Sequence, residues 1–554
     1  MTGKELGERI SGWLSKRSLL GLCLGVLLFA ASLTPSLAPR PPLLLGALGG
    51  ASFGLGYLFG LIMVGIWEFM GLPVHRISPR AAHVAIAFCA VWAAAFLWRS
   101  IDWQNDVRTV LHMAALPRWE LVRTAGAALV VFAVLFLAGV AMRTLFHRLT
   151  RWLDRYLPRR VAILLGSTLA VMLFWTIING VIFRTGIHLA DASFGELDSM
   201  MEADLVQPQE AWQTGSPSSL IAWSGLGRQG RQYIASGPKR QDIAALTGMP
   251  ASDPIRVYAG LNSASSVEQR ADLALAELKR VGGFKKPVLV VIAPTGTGWV
   301  DSAAIDTLEY LHHGDVASVA IQYSYLASWL SLLVEPEYGT DSARAMFRKV
   351  YEYWKTLPKD SRPRLYLYGL SLGALSSESS MDLFDVIDDP IQGALWAGPP
   401  FPSQLWQSTT RDRVPGTPVW LPRFRDGSVV RFTNQQDHLS WPGARWGAMR
   451  IVYLQYGSDP ITFFTPSIFY RKPEWMSGQR APDVSPTFRW VPGITFLQLS
   501  VDMITGMDTP PGFGHVFAAD HYMNGWIAVT QPTGWNEAQL AKLRNAIAKK
   551  QLGK

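Results

Sequence analysis

Cysteine is almost absent from this chain of 554 residues, which contains only two. Both Cys23 and Cys89 lie inside apolar runs, where a thiol is expected to be a small buried hydrophobic group. Because no cysteine follows residue 89, the rest of the chain has neither a disulfide framework nor a cysteine-ligated zinc site. We expect no metal and no cofactor.

Charged residues are also sparse, at 17% of the chain, whereas hydrophobic residues make up 49%. The net charge of +9 is carried by short basic segments between apolar runs, a distribution that argues against a nucleic-acid-binding surface. The apolar excess is confined to residues 18–183, and later residues have the composition of an ordinary globular domain. The sequence therefore predicts a membrane part followed by a globular part.

Five apolar stretches approach or exceed the roughly 20 residues that a membrane helix needs. They are residues 18–35, 42–71, 81–98, 125–142 and 161–183. The second is long and rich in glycine, which predicts tilt or close packing against other helices. We predict a transmembrane helical domain over residues 1–184 and a connector over residues 185–250.

Positive charge alternates between the loops that join these spans. The basic segments contain Lys4, Arg9, Lys16 and Arg17 before the first span, Arg76 and Arg80 before the third, and six arginines within 143–160. The intervening loops are poorer in cations, so the positive-inside rule predicts a cytoplasmic N-terminus. Five crossings of the cytoplasmic membrane then place the chain after residue 184 on the periplasmic or extracellular side.

Residues 251–554 alternate between strand-like and helix-like patterns. Predicted strands cover 255–259, 287–293, 316–322, 364–370, 392–397 and 450–456, and predicted helices cover 266–280, 301–312 and 342–355. This alternation indicates an α/β domain with a mostly parallel, doubly wound sheet, in which ligands bind at the carboxyl ends of the strands.

A short buried strand, a sharp turn and a helix of small residues surround Ser371. The pentapeptide Gly369-Leu370-Ser371-Leu372-Gly373 fits the G-x-S-x-G nucleophile elbow, in which the serine lies on a strained strand-to-helix turn. Glycines are needed because strand and helix crowd together beside a strained residue. Ser371 is therefore the candidate nucleophile of an acyl-transfer reaction.

A serine nucleophile in this fold needs an acid and then a histidine later in the chain. Asp459 follows the last predicted strand and is the predicted acid, although a turn or helix-capping role is also open to it. The weaker candidates for the acid are Asp388 and Asp389. His515, in a glycine-rich turn, is the predicted base; His521 is expected to be structural, and His438 precedes the acid.

Two backbone amides would stabilise the oxyanion of the reaction. Leu372, directly after the nucleophile, supplies one, and the loop 294–299 supplies the other through Thr295 or Gly296. This loop also invites comparison with a phosphate-binding loop, but the lysine of that motif is missing.

Four motifs give the chain a resemblance to one family. The elbow and the runs 293–301, 322–329 and 512–517 are together similar to bacterial multi-span membrane proteins with an extracytoplasmic α/β-hydrolase domain. Members of that family carry a second histidine in the stretch that matches 512–517, and here only His515 is present. Related proteins are similar to hydrolases that remove amino acids esterified to phosphatidylglycerol.

The resemblance implies a serine hydrolase of outer-leaflet lipid esters, with membrane lipids as partners and aminoacyl-phosphatidylglycerol as the favoured substrate. The aromatic segment 461–472 is either a rim that meets acyl chains or ordinary packing under a loop. Glu378 and Asp301 are candidates to meet the ammonium group of such a substrate. The residues leave two alternatives open: an acyltransferase or esterase of cell-envelope glycans or glycolipids, and a non-catalytic membrane scaffold.

Overall fold

A computed structural model of the chain describes residues 19–73, 77–176, 198, 200–202, 205–325, 336–382 and 386–552. Several predictions concern residues outside this part: the cations Lys4, Arg9, Lys16, Arg17 and Arg76, the end of the fifth span, residues 326–329 of the third motif and most of the early connector.

The described helices and strands follow one another in the order expected of a helical part and an α/β part. The helices are α1 (Leu19–Ser32), α2 (Pro42–Phe69), α3 (Pro79–Val110), α4 (Glu120–Leu153), α5 (Arg159–Trp175), α6 (Gly227–Ala235), α7 (Arg240–Thr247), α8 (Val267–Arg280), α9 (Ser302–Leu311), α10 (Pro336–Thr356), α11 (Leu372–Ser380), α12 (Gln404–Arg411), α13 (Pro460–Phe463), α14 (Ile494–Thr505), α15 (Ala519–Thr530) and α16 (Glu537–Leu552). The strands are β1 (Ile255–Ala259), β2 (Val288–Ala293), β3 (Val316–Ile321), β4 (Arg364–Leu370), β5 (Gly393–Ala397), β6 (Val430–Thr433) and β7 (Arg450–Leu454).

The chain forms two compact units, and neither is continuous in sequence. The first comprises Met1–His188, Pro466–Met476 and Val484–Thr505; the second comprises Leu189–Thr465, Ser477–Asp483 and Gly506–Lys554. Two segments that follow β7 in the chain therefore belong to the unit that contains the N-terminal helices. The linear division at residues 184 and 250 stays a prediction.

Three helices of the first unit, among the described residues, are long and apolar enough to cross a membrane. These are α2, α3 and α4, which correspond to the second, third and fourth predicted spans. The first and fifth predicted spans coincide with α1 and α5, of 14 and 17 residues, and the chain next to each lies outside the described part. The total of five crossings stays a prediction.

Glycines let α2 pack closely against its neighbours, as its composition predicts. A Cβ built on Gly50 would lie 2.3 Å from the carbonyl oxygen of Ala128 in α4, and one on Gly60 would lie 2.4 Å from the Cα of Gly21 in α1. No larger residue fits at these positions without separating the helices.

A buried ion pair holds α14 within the first unit. Arg40, in the turn between α1 and α2, lies 3.2 Å from Asp502 of α14, and both side chains are fully buried. Asp502 also accepts the backbone N–H of Leu37 at 3.1 Å, and Gln498 donates to the carbonyl of Thr34 at 2.9 Å. Removing one member of such a pair leaves a buried unpaired charge and typically costs about 3–5 kcal/mol.

The second unit contains a seven-stranded sheet in the order β1-β3-β2-β4-β5-β7-β6, with every neighbouring pair parallel. All the predicted strands are present. Strands β2, β3 and β5 are buried along their whole length, as the nearly unbroken apolar runs require. The predicted α/β domain with a parallel sheet is therefore confirmed.

The strand order locates the site. Strands β2 and β4 are neighbours, but the chain leaves β2 for β3 on one side and leaves β4 for β5 on the other. A crevice at the carboxyl ends of strands where the winding direction reverses is where parallel sheets bind ligands. The Ser371 turn follows β4 and the 294–299 loop follows β2, so both open at this point.

Candidate active site

The turn that carries Ser371 is strained and closely packed. Ser371 has φ 58° and ψ −126°, one of the few positive φ values at a residue other than glycine. A Cβ on Gly369 would lie 2.2 Å from the carbonyl oxygen of Gly373, and a Cβ on Gly373 would lie 2.2 Å from that of Ala293. Both glycines of the motif are thus required by the close approach of β4, α11 and β2.

Two backbone features fix the serine in this position. The N–H of Ser371 donates to the carbonyl of Ala397, the last residue of β5, at 2.9 Å. Leu372 is the first residue of α11, and amides in the first turn of a helix have no acceptor within the helix. Those amides and the helix dipole favour negative charge next to the serine.

Asp459 lies directly after the turn that follows β7 and is fully buried. Its Oδ1 accepts the backbone N–H of Ile461 at 2.8 Å, so it caps α13, as the alternative interpretation expected. Its Oδ2 accepts a hydrogen bond from the Nδ1 of His515 at 2.7 Å. The capping bonds orient the carboxylate, and its other oxygen accepts both the imidazole and, at 3.1 Å, the hydroxyl of Thr462.

The two ring nitrogens of His515 differ in their hydrogen bonding: Nδ1 is paired with Asp459, and Nε2 has no partner among the described residues. The side chain is buried, with 3% of its surface exposed. The edge of the ring meets Phe517, with 5.6 Å between ring centroids. With a proton on Nδ1 directed at Asp459, the tautomer leaves Nε2 as an acceptor.

The end of β5 brings the histidine and the serine into the same neighbourhood. Ala397 accepts the Ser371 N–H, and the next residue, Gly398, has φ 51°. A Cβ on Gly398 would lie 2.6 Å from Cε1 of His515, so the imidazole covers the turn beside the serine strand. The structure therefore assembles Ser371, Asp459 and His515 around the ends of β4, β5 and β7.

A second carboxylate, that of Asp483, connects the loop of Asp459 with the loop of His515, and no motif in the sequence indicates this role. Asp483 Oδ2 accepts the Ser458 N–H at 2.9 Å and the Ser458 hydroxyl at 2.8 Å. The same hydroxyl oxygen accepts the N–H of Gly514 at 2.9 Å. Ser458 and Gly514 directly precede the acid and the histidine, so this network sets their relative positions.

The loop after β2 is built around a tight turn. The N–H of Thr295 donates to the carbonyl of Trp299 at 3.0 Å, and Gly298, with φ 84°, donates its N–H to Thr295 at 2.8 Å. The hydroxyl of Tyr258 donates to the carbonyl of Gly298 at 2.7 Å. The Thr295 amide is used inside the turn, which counts against it as the second oxyanion donor. The role of Gly296 as that donor stays a prediction.

The two carboxylates considered for an ammonium group are both engaged with the protein. Glu378 is buried; its Oε2 accepts the hydroxyl of Tyr453 at 2.7 Å and its Oε1 the N–H of Leu405 at 2.7 Å. Burial raises the pKa of Glu378 to about 7, although these hydrogen bonds lower it. Asp301 caps α9 by accepting the Ala303 N–H at 2.9 Å. Neither contact supports an ammonium-binding role.

The other candidates have structural contacts. His521 bonds to the hydroxyl of Tyr456 at 2.7 Å, in line with its expected structural role, and Asp389 is paired with Arg362 at 2.5 Å. In the segment 461–472, Phe463 and Phe464 are buried, as the packing interpretation predicts, whereas Phe469 and Tyr470 are 55% and 73% exposed. Among the described residues, no cluster of three metal-ligating side chains is present.

Two family models match the chain. A model of an α/β-hydrolase family matches residues 255–543, and a model of the N-terminal part of an α/β-hydrolase family matches residues 33–238. No curated protein matches. Among solved structures, Trichoderma reesei cutinase in complex with a phosphonate inhibitor is 15% identical over 43% of this chain and 87% of its own, with a TM-score of 0.19. A TM-score this low carries no argument about fold or function.

Proposed function

Because this chain belongs to the α/β-hydrolase family, we propose that it is a membrane-anchored serine hydrolase of lipid esters. We propose as substrate the carboxylic esters of outer-leaflet lipids, and aminoacyl-phosphatidylglycerol in particular. Family membership supports a hydrolase, and the particular substrate is our inference from the chain's motifs and apolar helices.

One observation carries the proposal. The buried imidazole of His515 donates from Nδ1 to a carboxylate, its Nε2 has no partner among the described residues, and it packs against the end of β5 that also holds the strained Ser371 turn. A buried polar atom without a partner is costly, and a native structure keeps one where it has a task. Accepting the proton of a nucleophile is the task that this geometry fits.

The proposed reaction proceeds through an acyl-enzyme. The Oγ of Ser371 attacks the ester carbonyl carbon while Nε2 of His515 takes the hydroxyl proton, and Asp459 stabilises the imidazolium. The oxyanion meets the amide of Leu372 and a second amide of the 294–299 loop. The tetrahedral intermediate collapses as Nε2 returns the proton to the leaving glycerol oxygen. Water then attacks the acyl-enzyme by the same steps and releases the amino acid.

The membrane part favours a lipid substrate over a soluble metabolite. Three helices are long and apolar enough to cross a bilayer, and anchoring holds an enzyme at the surface where a lipid ester presents its headgroup. Exposed aromatic side chains, Phe469 and Tyr470, suit contact with an interface. The proposed orientation, with the hydrolase part outside the cytoplasm, rests on the distribution of cations in the sequence.

The test is to produce the full chain in cells that also contain a lipid aminoacyl synthase and to separate the lipids by chromatography. We expect aminoacyl-phosphatidylglycerol to fall with the wild type and to persist with Ser371→Ala. Ser379→Ala, on the same helix, is the matched control and should behave as the wild type. Equal depletion by wild type and Ser371→Ala, or depletion by neither, contradicts the proposed substrate.

A fluorophosphonate probe separates the chemistry from the substrate. The probe should label wild type and Ser379→Ala but not Ser371→Ala, because it reacts with activated serines. Labelling without lipid depletion would support an activated serine but reject aminoacyl-phosphatidylglycerol as the substrate. Product analysis would then identify the acyl acceptor. Absence of labelling beside a labelled control hydrolase would favour a non-catalytic scaffold.

A further inference from the structure

A cavity of about 560 Å³ lies among the start of α8, the residue Tyr323 after β3, and α10. None of the residues to which we assign a catalytic role lines it. The polar residues of its lining include Glu268, Arg270, Tyr323, Asp341, Arg344 and Arg348. Its walls combine buried polar groups with a cationic face of α10.

Two buried side chains in this lining have unused hydrogen-bonding atoms. Arg270 is 5% exposed and Tyr323 is 7% exposed, yet neither Nε of Arg270 nor Oη of Tyr323 has a partner in the described part of the chain. Arg270 uses one other nitrogen, donating to the carbonyl of Ala264 at 3.2 Å. A guanidinium can only donate and a phenol readily donates, so both groups call for an acceptor-rich ligand. Leaving such buried groups without a partner destabilises a folded protein, so a ligand that pairs with them is favoured.

The balance of charge around the cavity is positive. Four cations and two carboxylates line it. Lys349 is paired with Asp272 at 2.7 Å and Arg344 lies 3.8 Å from Asp341. Arg348 makes no hydrogen bond or ion pair in the described chain, and with Arg270 it contributes uncommitted positive charge that outweighs Glu268.

We propose that this cavity binds a phosphate group through Arg270, Arg348 and Tyr323. A phosphate presents several acceptor oxygens and matches the planar donor fork of arginine, which makes it the anion best suited to two guanidinium groups and a hydroxyl. The phosphate is either the diester of a phospholipid headgroup or free inorganic phosphate. The headgroup source rests on the proposed function, whereas the anion site does not.

The Tyr323 side of the cavity lies next to the helix that begins directly after the nucleophile. A Cβ on Gly339 would be 2.7 Å from Oγ of Ser376 and 3.1 Å from Cζ of Tyr323, so the Tyr323 ring end lies next to α11. Ser376 is five residues beyond Ser371, about 7.5 Å along a helix axis. In a glycerol ester, six bonds join the phosphorus to the ester carbonyl carbon, which extended is about 7 Å.

Calorimetry on the purified full-length chain in detergent tests the site directly, with inorganic phosphate as the probe. We expect saturable binding to the wild type that weakens about tenfold in Arg348→Ala and also weakens in Tyr323→Phe. Arg348 is exposed, so its replacement does not threaten folding. Lys355→Gln is the matched control: this exposed lysine of α10 lines a neighbouring cavity of about 1040 Å³ but not this one.

The source of the phosphate is tested by displacement. Mixed micelles that contain phosphatidylglycerol should displace inorganic phosphate if the ligand is a headgroup; phosphate binding without displacement assigns the site to free phosphate. The proposal is overturned if wild type binds neither probe, or if Arg348→Ala and Tyr323→Phe bind phosphate as wild type does. These measurements detect binding and not hydrolysis, so their result does not depend on whether the enzyme cleaves the lipid.

Discussion

Glu378 should make the stability of the protein depend on pH in a direction opposite to that of an ordinary surface carboxylate. Burial raises the pKa of Glu378 from 4.5 to about 7 in the folded chain. Between these two values the unfolded chain has already lost the proton that the folded chain keeps. The stabilisation is therefore fully present below pH 4.5 and is lost as the pH rises through about 7.

The size of the effect follows from the same two values. At about 1.4 kcal/mol for each pKa unit, the difference between 4.5 and about 7 corresponds to about 3 kcal/mol in the free energy of unfolding. Glutamine at this position stays neutral at every pH and can still accept the N–H of Leu405 through its amide oxygen. Glu378→Gln should therefore remove this part of the pH dependence.

Thermal unfolding of the full chain in detergent, at pH 5 and at pH 8, is the assay. Wild type should lose roughly 2–3 °C more of Tm than Glu378→Gln between these pH values, because about 3 kcal/mol is small against the unfolding entropy of a chain of 554 residues. Glu352→Gln, which alters an exposed carboxylate in the cavity of about 1040 Å³ that Glu378 also lines, should keep the wild-type dependence. Parallel melting of wild type and Glu378→Gln would refute the reasoning, because the folded chain would then carry an ionised Glu378.

The remaining predictions concern the candidate triad. Asp459→Asn should keep the fold but lower kcat by about 10⁴, because an amide no longer fixes the His515 tautomer; a loss below tenfold in a kinetic assay of a soluble ester would reject Asp459 as the acid. Gly398→Ala should lower kcat about 100-fold, since its Cβ would lie 2.6 Å from the imidazole, while Gly248→Ala, also at positive φ but with open space around it, should keep full activity. Ser458→Ala should lower both Tm and kcat, because it leaves the buried N–H of Gly514 without its acceptor, at a cost of about 1–3 kcal/mol, and removes one of the bonds to Asp483; unchanged values for both would mean that the Asp483 network does not support the site.

The candidate catalytic residues could be predicted from the sequence where short motifs and chain order identify them. The elbow depends on two glycines and a serine within five residues, and the structure shows why, since either glycine would collide with backbone if it carried a Cβ. The order of acid and histidine along the chain was enough to select Asp459 and His515, and the structure joins them at 2.7 Å. Their catalytic roles stay proposals until the variants are measured.

What escaped prediction depends on contacts between distant residues. Asp483 lies in an irregular stretch, and nothing in its neighbours indicates that it holds Ser458, 25 residues earlier. Strand β6 was missed for a related reason: it has four residues, and its central Arg431 suggests a surface loop. That guanidinium is 2% exposed because carbonyl groups, including those of Gly427 and Leu439, accept its hydrogen bonds.

The discontinuity of the two units decides how the protein can be dissected. A fragment that begins at Leu189 would keep Pro466–Met476 and Val484–Thr505 but lose the helices with which they form a unit. Its α14 would present an apolar surface together with Asp502, whose partner Arg40 would be gone, and such a fragment is expected to aggregate. A soluble hydrolase part would instead require two internal excisions that spare Ser477–Asp483, because Asp483 belongs to the network that sets the acid and the histidine.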